Sequence, residues 1–350
     1  MAKTYYRPLG ICYGPDAEIL ISQRRAGLLG GHARMAFTEV ECISRDGKAL
    51  SRKILPYADV RAVEDVQRIE APRAALGRLT LDAPKIMGIV NVTPDSFSDG
   101  GQHGTPEAGA EHGERLTREG AHLLDIGGES TRPGSTAVSL DEELNRVIPA
   151  ISQLAKVGHF ISVDTRKAQV MREAAKAGAS MVNDVSALTY DPEGLATIAA
   201  LGLPVVLMHA QGDPRTMQLN PTYDNVALDV YDYLEARIEA CLASGIAKSS
   251  LAVDPGIGFG KTFQHNLEVL NQMTIFHGLG VAVLLGLSRK AFIGALTGEK
   301  LARNRANGSV GGAVQAALNG VHILRVHDVK QTVEAIAVAM AVANPTTTEF

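Results

Sequence analysis

Acidic and amide side chains stand at the ends of several short apolar runs in this chain, where they could accept hydrogen bonds from a ligand. Asp125 lies in LLDIGG, Asp164 ends ISVD, Asn183 and Asp184 end MVND, and Asp254 ends LAVD. An ionised carboxylate among apolar residues is costly unless a cation or an N–H donor meets it. One carboxylate can bind two adjacent donors of a flat ligand in a bidentate pair. The pattern predicts a pocket lined with acceptors, although a structural ion pair is the commoner alternative for any single carboxylate.

Basic residues gather after the last two apolar runs. Residues 288–290 (SRK) follow VAVLLGL, and residues 325–327 (RVH) end the final run. Strand residues two positions apart project to the same side, so Arg325 and His327 are expected to converge. The convergence predicts an anion site. An ion pair of either residue with Asp328 or with the rim of the sheet is the alternative.

These residues need strands to position them, and eight apolar runs of strand length recur between Ile86 and Val326. Helical segments separate the runs, and the alternation of strands and helices predicts a parallel sheet. Eight such units favour a closed (β/α)8 barrel, whose active site lies at the carboxyl ends of the strands. An open doubly wound sheet is the competing architecture. It would place its phosphate signal in the first turn, whereas polar clusters here follow nearly every strand.

The predicted helices cover residues 107–119, 140–156, 167–177, 192–201, 225–244, 266–276, 302–319 and 331–342. In the fourth helix we place Asp191 as the N-cap and Pro192 at the first helical position.

Composition limits the function classes. The chain has 350 residues, 45% of them hydrophobic and 21% charged, with a net charge of −4. This charge gives no overall attraction for nucleic acid or an anionic membrane. No apolar run approaches the roughly 20 residues of a membrane span, and the first ten residues lack a signal-peptide core. Three scattered cysteines without a CxxC pair favour reduced thiols, and we expect a cytoplasmic protein.

Residues 1–80 precede the repeating units and are interpreted as an N-terminal extension to a barrel of residues 81–350. Alternating apolar positions at Phe37, Val40 and Cys42 lead to the Asp46-Gly47 dipeptide, which is typical of a tight hairpin. We therefore expect a small β-rich appendage, followed by an exposed connector over residues 60–84. No residue of the extension has an obvious role in a site.

Three loop sequences identify a family. NVTPDSFSDGG (91–101), STRPGS (130–135) and DPGIGFGK (254–261), in this order and with the basic clusters above, closely resemble dihydropteroate synthase. That folate-pathway enzyme joins 4-aminobenzoate to a dihydropterin. The resemblance extends roughly from Pro84 to Ala343. DPGIGFGK itself lacks the glycine spacing of a P-loop, and a buried structural role is the favoured interpretation for His209.

The resemblance implies specific roles. The pterin would be bound by Asp164, Asn183, Val185, Met208, Asp254 and Lys290. The diphosphate would be bound by Asn91, Arg325, Val326 and His327. The 4-aminobenzoate side and its mobile loops would include Asp95, Ser96, Thr131, Arg132, Pro133, Phe259 and Ser288. The resemblance also implies Mg²⁺ on Asn91, whose amide oxygen suits magnesium, together with a homodimer and a target for sulfonamides.

The implied reaction is displacement of pyrophosphate from a dihydropterin-6-ylmethyl diphosphate by the amine of 4-aminobenzoate. Two alternatives remain open. A pterin-binding methyltransferase domain would share the barrel but has no use for the basic clusters after the last two strands. A non-catalytic pterin-binding paralogue would be expected to have eroded loops, whereas residues 91–101 and 130–135 are intact.

Overall fold

The chain begins with an antiparallel sheet and continues as a parallel barrel in the computed structural model, which describes residues 2–93, 105–130, 135, 137–212 and 216–345. The N-terminal strands are β1 (Lys3–Tyr13), β2 (Gly27–Leu28), β3 (Met35–Asp46) and β4 (Ala49–Pro56). The helices of this N-terminal part are α1 (Gly14–Ser22), α2 (Tyr57–Val60) and α3 (Glu64–Glu70).

The barrel strands alternate with helices, as predicted. The strands are β5 (Lys85–Asn91), β6 (Leu123–Gly127), β7 (Ile161–Asp164), β8 (Met181–Asp184), β9 (Val205–Met208), β10 (Leu251–Asp254), β11 (Ala282–Leu285) and β12 (Ile323–Val326). The helices are α4 (Pro106–Arg118), α5 (Leu140–Lys156), α6 (Ala168–Ala177), α7 (Gly194–Leu201), α8 (Val226–Ala243), α9 (Phe263–Asn271), α10 (Ala291–Thr297), α11 (Ala306–Leu318) and α12 (Val329–Ala343).

Within the described residues, eight parallel strands close into a barrel in which β12 pairs with β5. Their buried apolar sequences on both faces are typical of a parallel sheet covered by helices. The closed circuit confirms the (β/α)8 barrel and excludes an open doubly wound sheet. Across the described part of the chain, no helix is long and apolar enough to cross a membrane.

Three predicted helix starts are wrong, and one short helix was not predicted. The helix predicted from residue 302 begins at Ala306, because Ala302–Asn304 form a separate 3-10 turn. Helix α7 begins at Gly194 rather than Pro192, because the Asp191 carboxylate accepts hydrogen bonds from Ala168 N of α6 and from Glu193 N. Helix α9 begins at Phe263 because Thr262 and His265 form a reciprocal capping box there. Helix α10 was not predicted, since its seven residues are too short for a clear helical period.

The N-terminal extension is β-rich, as predicted, but it is larger than one hairpin. Strand β1 pairs with β3 along ten residue pairs, while β2 and β4 share the other edge of β3. The predicted hairpin is present, with Gly47 at a φ of 59° between β3 and β4. Phe37, Val40 and Ile69 are fully buried in a hydrophobic cluster of the extension's own.

The connector over residues 60–84 is exposed at many positions, as expected, but it also buries several side chains, which was not predicted. It contains α3, and Leu76, Leu79 and Leu81 are buried at the amino-terminal end of the barrel. There they contact inward-facing side chains such as Met181 and Ile323. The connector thus forms the apolar floor of the barrel, at the end opposite the active site.

Candidate active site

A cavity of about 560 Å³ opens at the carboxyl ends of the barrel strands. Seven of the residues that the sequence assigned to a site line this cavity, namely Asn91, Asp164, Phe259, Ser288, Lys290, Arg325 and His327. Asn91 ends β5, Asp164 ends β7 and Arg325 lies in β12, so the barrel brings together residues that are far apart in sequence. The fold therefore assembles one site from the ends of several strands.

Arg325, in β12, is bound by two carboxylates, one in β6 and one at the end of β7. Its Nε donates to Asp125 Oδ2 at 2.6 Å, and its Nη2 donates to Asp164 Oδ2 at 2.7 Å. Burial alone would lower the pKa of Arg325, but Asp125 and Asp164 outweigh it and raise that pKa. Burial raises the pKa of Asp164 to about 7, against the opposing effect of Arg325. The alternative pairing of Arg325 with Asp328 is wrong, since Asp328 binds Arg289. The other alternative, an ion pair with the rim of the sheet, is present in the contacts with Asp125 and Asp164.

Asp125 also positions Asn183. The Asn183 Nδ2 donates to Asp125 Oδ2 at 3.0 Å, and both residues are buried. Asp125 Oδ1 is buried and finds no hydrogen-bond partner among the described residues. The sequence placed Asp125 at a strand end without giving it a separate role. Asp125 therefore links the predicted pterin residue Asn183 to the predicted diphosphate residue Arg325.

Asp254 is a buried carboxylate of a different kind. Its side chain is 5% exposed and accepts a hydrogen bond from Gly256 N at 2.7 Å. In the part of the chain that the structure describes, Asp254 makes no ion pair. Burial raises its pKa. A Cβ placed on Gly286 would lie 3.7 Å from Asp254 Oδ2, so this glycine lies next to the carboxylate.

Lys261 holds the loop after β10 in shape. Its Nζ donates to His209 Nδ1 at 2.8 Å, to Gly256 O at 2.9 Å and to Phe259 O at 3.2 Å. The lysine is 2% exposed, and burial lowers its pKa to about 7. Burial and Lys261 also lower the pKa of His209, which is thus a neutral acceptor in the interior. Sequence analysis missed this role of Lys261 because its partners are backbone carbonyls and a distant histidine.

Phe259 and Lys290 face each other across the cavity wall. Lys290 Nζ lies 4.0 Å from the centroid of the Phe259 ring, within the range of a cation–π contact. Arg289, between Ser288 and Lys290, has a φ of 59° and binds Asp328 through Nη2 at 2.7 Å. All three residues of the SRK cluster line the cavity, and Arg289 in addition fixes the loop through its ion pair with Asp328.

Ser288 joins the last two barrel loops. Its Oγ lies 3.0 Å from His327 Nδ1 and accepts from His327 N at 3.2 Å. Arg325 and His327 both line the cavity, as their spacing predicted. The Val326 side chain between them is 4% exposed and belongs to the main hydrophobic core, because alternate strand residues point to opposite faces. Only its backbone is available for the diphosphate contact that the resemblance implied.

The remaining predicted residues are distributed as follows. Met208 ends β9 and is 5% exposed, while Val185 follows β8 and is half-buried. Asp184 accepts hydrogen bonds from Ser186 and from Leu188 N, so its role is structural, and burial raises its pKa to about 6. Asp95, Ser96, Thr131, Arg132 and Pro133 lie outside the described residues.

The chain matches known proteins over the barrel. A family model described as pterin binding enzyme matches residues 87–327. The dihydropteroate synthase of Escherichia coli strain K12 is 48% identical over 264 residues, covering 75% of this chain and 93% of that protein. The dihydropteroate synthase of Bacillus subtilis is 43% identical over 247 residues, covering 70% of this chain and 84% of that protein.

Solved structures give the same result. Xanthomonas albilineans dihydropteroate synthase with 4-aminobenzoic acid superposes with a TM-score of 0.73 at 52% identity, covering 80% of this chain and all of that one. The same enzyme in complex with 7,8-dihydropteroate gives a TM-score of 0.71 at 48% identity, covering 79% of this chain and all of that one. The family model begins at residue 87, so the N-terminal sheet lies outside it.

Proposed function

The chain belongs to the dihydropteroate synthase family of pterin-binding enzymes, and we propose that it joins a dihydropterin-6-ylmethyl diphosphate to 4-aminobenzoate. The C–O bond between the pterin methylene and the diphosphate breaks, and pyrophosphate leaves with the electron pair. A C–N bond to the aromatic amine forms, and the amine releases a proton. The products are 7,8-dihydropteroate and pyrophosphate.

The observation that carries this proposal is the pairing of acceptors and cations around one cavity. Asp164 lines the cavity, and the buried Asp254 ends β10, whose following loop contributes Gly258 and Phe259 to the cavity lining. These carboxylates suit the N–H edge of a pterin and favour positive charge on its methylene carbon. Arg325 and His327 line the same cavity and suit the charge that develops on the leaving diphosphate. A methyltransferase would have no use for that second group.

Substrate binding requires Arg325 to give up one of its two carboxylate partners to the substrate. In the structure its Nε and Nη2 are held by Asp125 and Asp164. We propose that Asp164 turns to the pterin when the substrate enters, and that Arg325 then extends toward the diphosphate. Asp125 remains as the buried counter-ion that keeps Arg325 oriented. Phe259 provides an apolar surface for the ring of 4-aminobenzoate.

We propose that Mg²⁺ accompanies the diphosphate at Asn91. The Asn91 side chain lines the cavity, and magnesium usually takes few protein oxygens together with phosphate oxygens and water. When bound, the ion would neutralise charge on the leaving group. Calorimetry should show diphosphate affinity that depends on Mg²⁺ in the natural chain. The Asn91→Ala variant should lose that dependence while binding an unphosphorylated pterin normally.

We also propose that the chain forms a homodimer through α12. Val338 and Val342 of α12 lie about one helical turn apart and are 66% and 76% exposed, so they offer a small apolar surface to a second copy. Sedimentation analysis should give twice the monomer mass, and Val338→Glu should reduce it. The thiols of Cys12, Cys42 and Cys241 are free, which supports a reducing compartment, and we place the enzyme in the cytoplasm.

The decisive test of the activity is product formation. Purified protein incubated with the dihydropterin diphosphate, 4-aminobenzoate and Mg²⁺ should release pyrophosphate and form 7,8-dihydropteroate in equal amounts. Pyrophosphate release without dihydropteroate would indicate hydrolysis instead. Pterin binding without either product would indicate a non-catalytic paralogue.

A further inference from the structure

We propose that Arg45, in the N-terminal sheet, is a positioning residue for the loop over residues 254–261, and that it acts through Asp229 and Tyr223. This inference rests on the proposed function in so far as the loop borders the substrate cavity. The extension would then have a role in the site, although it lies outside the region that the family model matches, which begins at residue 87.

The first step of the connection is an ion pair between the extension and the barrel. Arg45 lies at the end of β3, and its Nη1 contacts Asp229 Oδ1 of α8 at 2.6 Å. The Arg45 side chain is 18% exposed and that of Asp229 is 23% exposed, so water screens the pair only in part. Asp232 and Asp224 lie farther from Arg45, at 3.6 Å and 3.8 Å.

The second step passes from Asp229 to the turn that precedes α8. Asp229 Oδ2 accepts hydrogen bonds from Asp224 N at 2.9 Å and from Asn225 N at 3.2 Å. The carboxylate therefore holds Arg45 with one oxygen and the backbone of this turn with the other. Asn225 in turn caps α8 by accepting from Leu228 N. The turn is fixed relative to both α8 and the N-terminal sheet.

The third step reaches the substrate loop. The Tyr223 hydroxyl, next to the turn, donates to Gly260 O at 2.6 Å. On its other side Gly260 lies against the backbone of Gln211, since a Cβ on Gly260 would be 2.3 Å from Gln211 O. Gln211 is joined to Thr222 by hydrogen bonds in both directions. Gly260 is thus held between two segments that both lead back to the turn.

The position of Gly260 matters because of its neighbours. Phe259 precedes it and carries the ring above Lys290 Nζ, while Lys261 follows it and ties the loop to His209. The described residues that line the cavity begin at Ile89, so the extension does not touch the cavity directly. Arg45 can act on the site only through the barrel residues named above.

The test uses the full chain and a matched control on the same sheet. Arg45→Met removes the ion pair to α8, whereas Arg52→Met removes an ion pair with Glu41 that stays within the sheet. Tyr5 and Lys3 still bind Asp232 of α8, so the sheet should remain docked in Arg45→Met. Tyr223→Phe breaks the last contact of the connection with minimal change of shape.

We expect Arg45→Met and Tyr223→Phe each to raise KM for 4-aminobenzoate about three- to tenfold, and to leave KM for the diphosphate substrate within about twofold. The double variant should match Tyr223→Phe alone, because both changes interrupt one connection. Hydrogen exchange of the peptide over residues 255–261 should become faster in both single variants. Arg52→Met should change none of these quantities.

Multiplicative effects in the double variant, or unchanged exchange of residues 255–261 in Arg45→Met, would overturn the proposal. Equal effects of Arg45→Met and Arg52→Met would also overturn it, because they would indicate general loosening of the sheet. The exchange measurement needs no catalysis. If the natural chain made no dihydropteroate but its loop responded to Arg45→Met, the proposed function would fail while the positioning role would stand.

Discussion

Asp164 and Arg325 face each other across the barrel mouth, with Oδ2 and Nη2 2.7 Å apart. The carboxylate predicted to bind the pterin therefore already holds the cation predicted to bind the diphosphate. This contact stabilises both buried charges in the absence of substrate. It also means that neither residue can be changed without affecting the other.

Arg325 and His327 should consequently differ when each is replaced by alanine. His327→Ala should weaken binding of the diphosphate substrate by about 1.5–3 kcal/mol, because one charge-assisted contact is lost. It should leave binding of an unphosphorylated pterin and the free energy of unfolding nearly unchanged. Arg325→Ala leaves Asp125 and Asp164 without their cation and should also lower the free energy of unfolding by about 3–5 kcal/mol. Calorimetry and denaturant titration check both variants, and equal effects would contradict this assignment.

Asp254→Asn should separate ligand binding from stability. Asp254 meets Gly256 N, and in the described part of the chain no cation pairs with it. An amide would turn one acceptor into a donor that faces the N–H edge of the pterin, which should cost about 2–5 kcal/mol of binding. Burial raises the pKa of Asp254, so its ionised form destabilises the fold at neutral pH, and the melting temperature should stay level or rise. A destabilised variant that binds pterin normally would show a structural carboxylate instead.

Buried histidines should make the fold sensitive to acid. Burial lowers the pKa of His277 to about 3 and that of His322 well below its usual value. Such a group stays neutral in the folded chain while its unfolded form takes up a proton below about pH 6.5, so stability falls as pH falls. His277→Gln should flatten the dependence of the free energy of unfolding on pH between 5 and 6.5, by at most about 1.4 kcal/mol per pH unit.

Asp164→Asn should have the opposite effect on the same measurement. Burial raises the pKa of Asp164 to about 7, so the folded chain binds a proton that the unfolded chain binds only near pH 4. This uptake stabilises the fold as pH falls through 7. The Asp164→Asn variant cannot take up this proton, so its free energy of unfolding should fall more steeply as the pH is lowered. Denaturant titrations of His277→Gln and Asp164→Asn from pH 5 to 8 test these two predictions. If the free energy of unfolding depended on pH with the same slope in both variants, the two pKa directions would be refuted.

The floor of the barrel can be tested by truncating one of its leucines. Leu79→Ala should lower the free energy of unfolding by about 2–5 kcal/mol, the usual range for a buried leucine. KM for both substrates should not change, since the floor lies at the end opposite the cavity. Leu50→Ala, on an exposed position of β4, is the matched control and should cost little. A raised KM in Leu79→Ala would show that the floor and the mouth are coupled.

The sequence was sufficient for those features that depend on local patterns. Buried strands followed by polar residues gave the barrel, and the strand-end positions of Asp164, Asn91 and Arg325 brought them to one cavity. The partners of these residues were not predictable, because the contact between Arg325 and Asp125 joins positions 200 residues apart. The role of Lys261 was not predictable either, because one partner, His209, is 52 residues away and the others are backbone carbonyls, which leave no pattern in the sequence.

The buried leucines of the connector were not predicted, for a different physical reason. Residues 60–84 have mixed charge and little periodicity, which suggested exposure, yet isolated leucines at 76, 79 and 81 are enough to fill a small apolar opening. The start of α7 was misplaced because the Asp191 carboxylate also accepts a hydrogen bond from Ala168 N of α6, and α10 was missed because it has only seven residues.

The floor of the barrel also bears on how the chain folds during synthesis. Leu76 and Leu79 leave the ribosome early, but Ile323, which they meet in the same cluster, is made almost at the end. Likewise His32 donates to Gly320 O across 288 residues. Pairings this distant in sequence form slowly. Until β12 is complete, the connector after the N-terminal sheet therefore exposes an uncovered apolar segment, and a nascent chain stalled before residue 320 should be the species that chaperones bind.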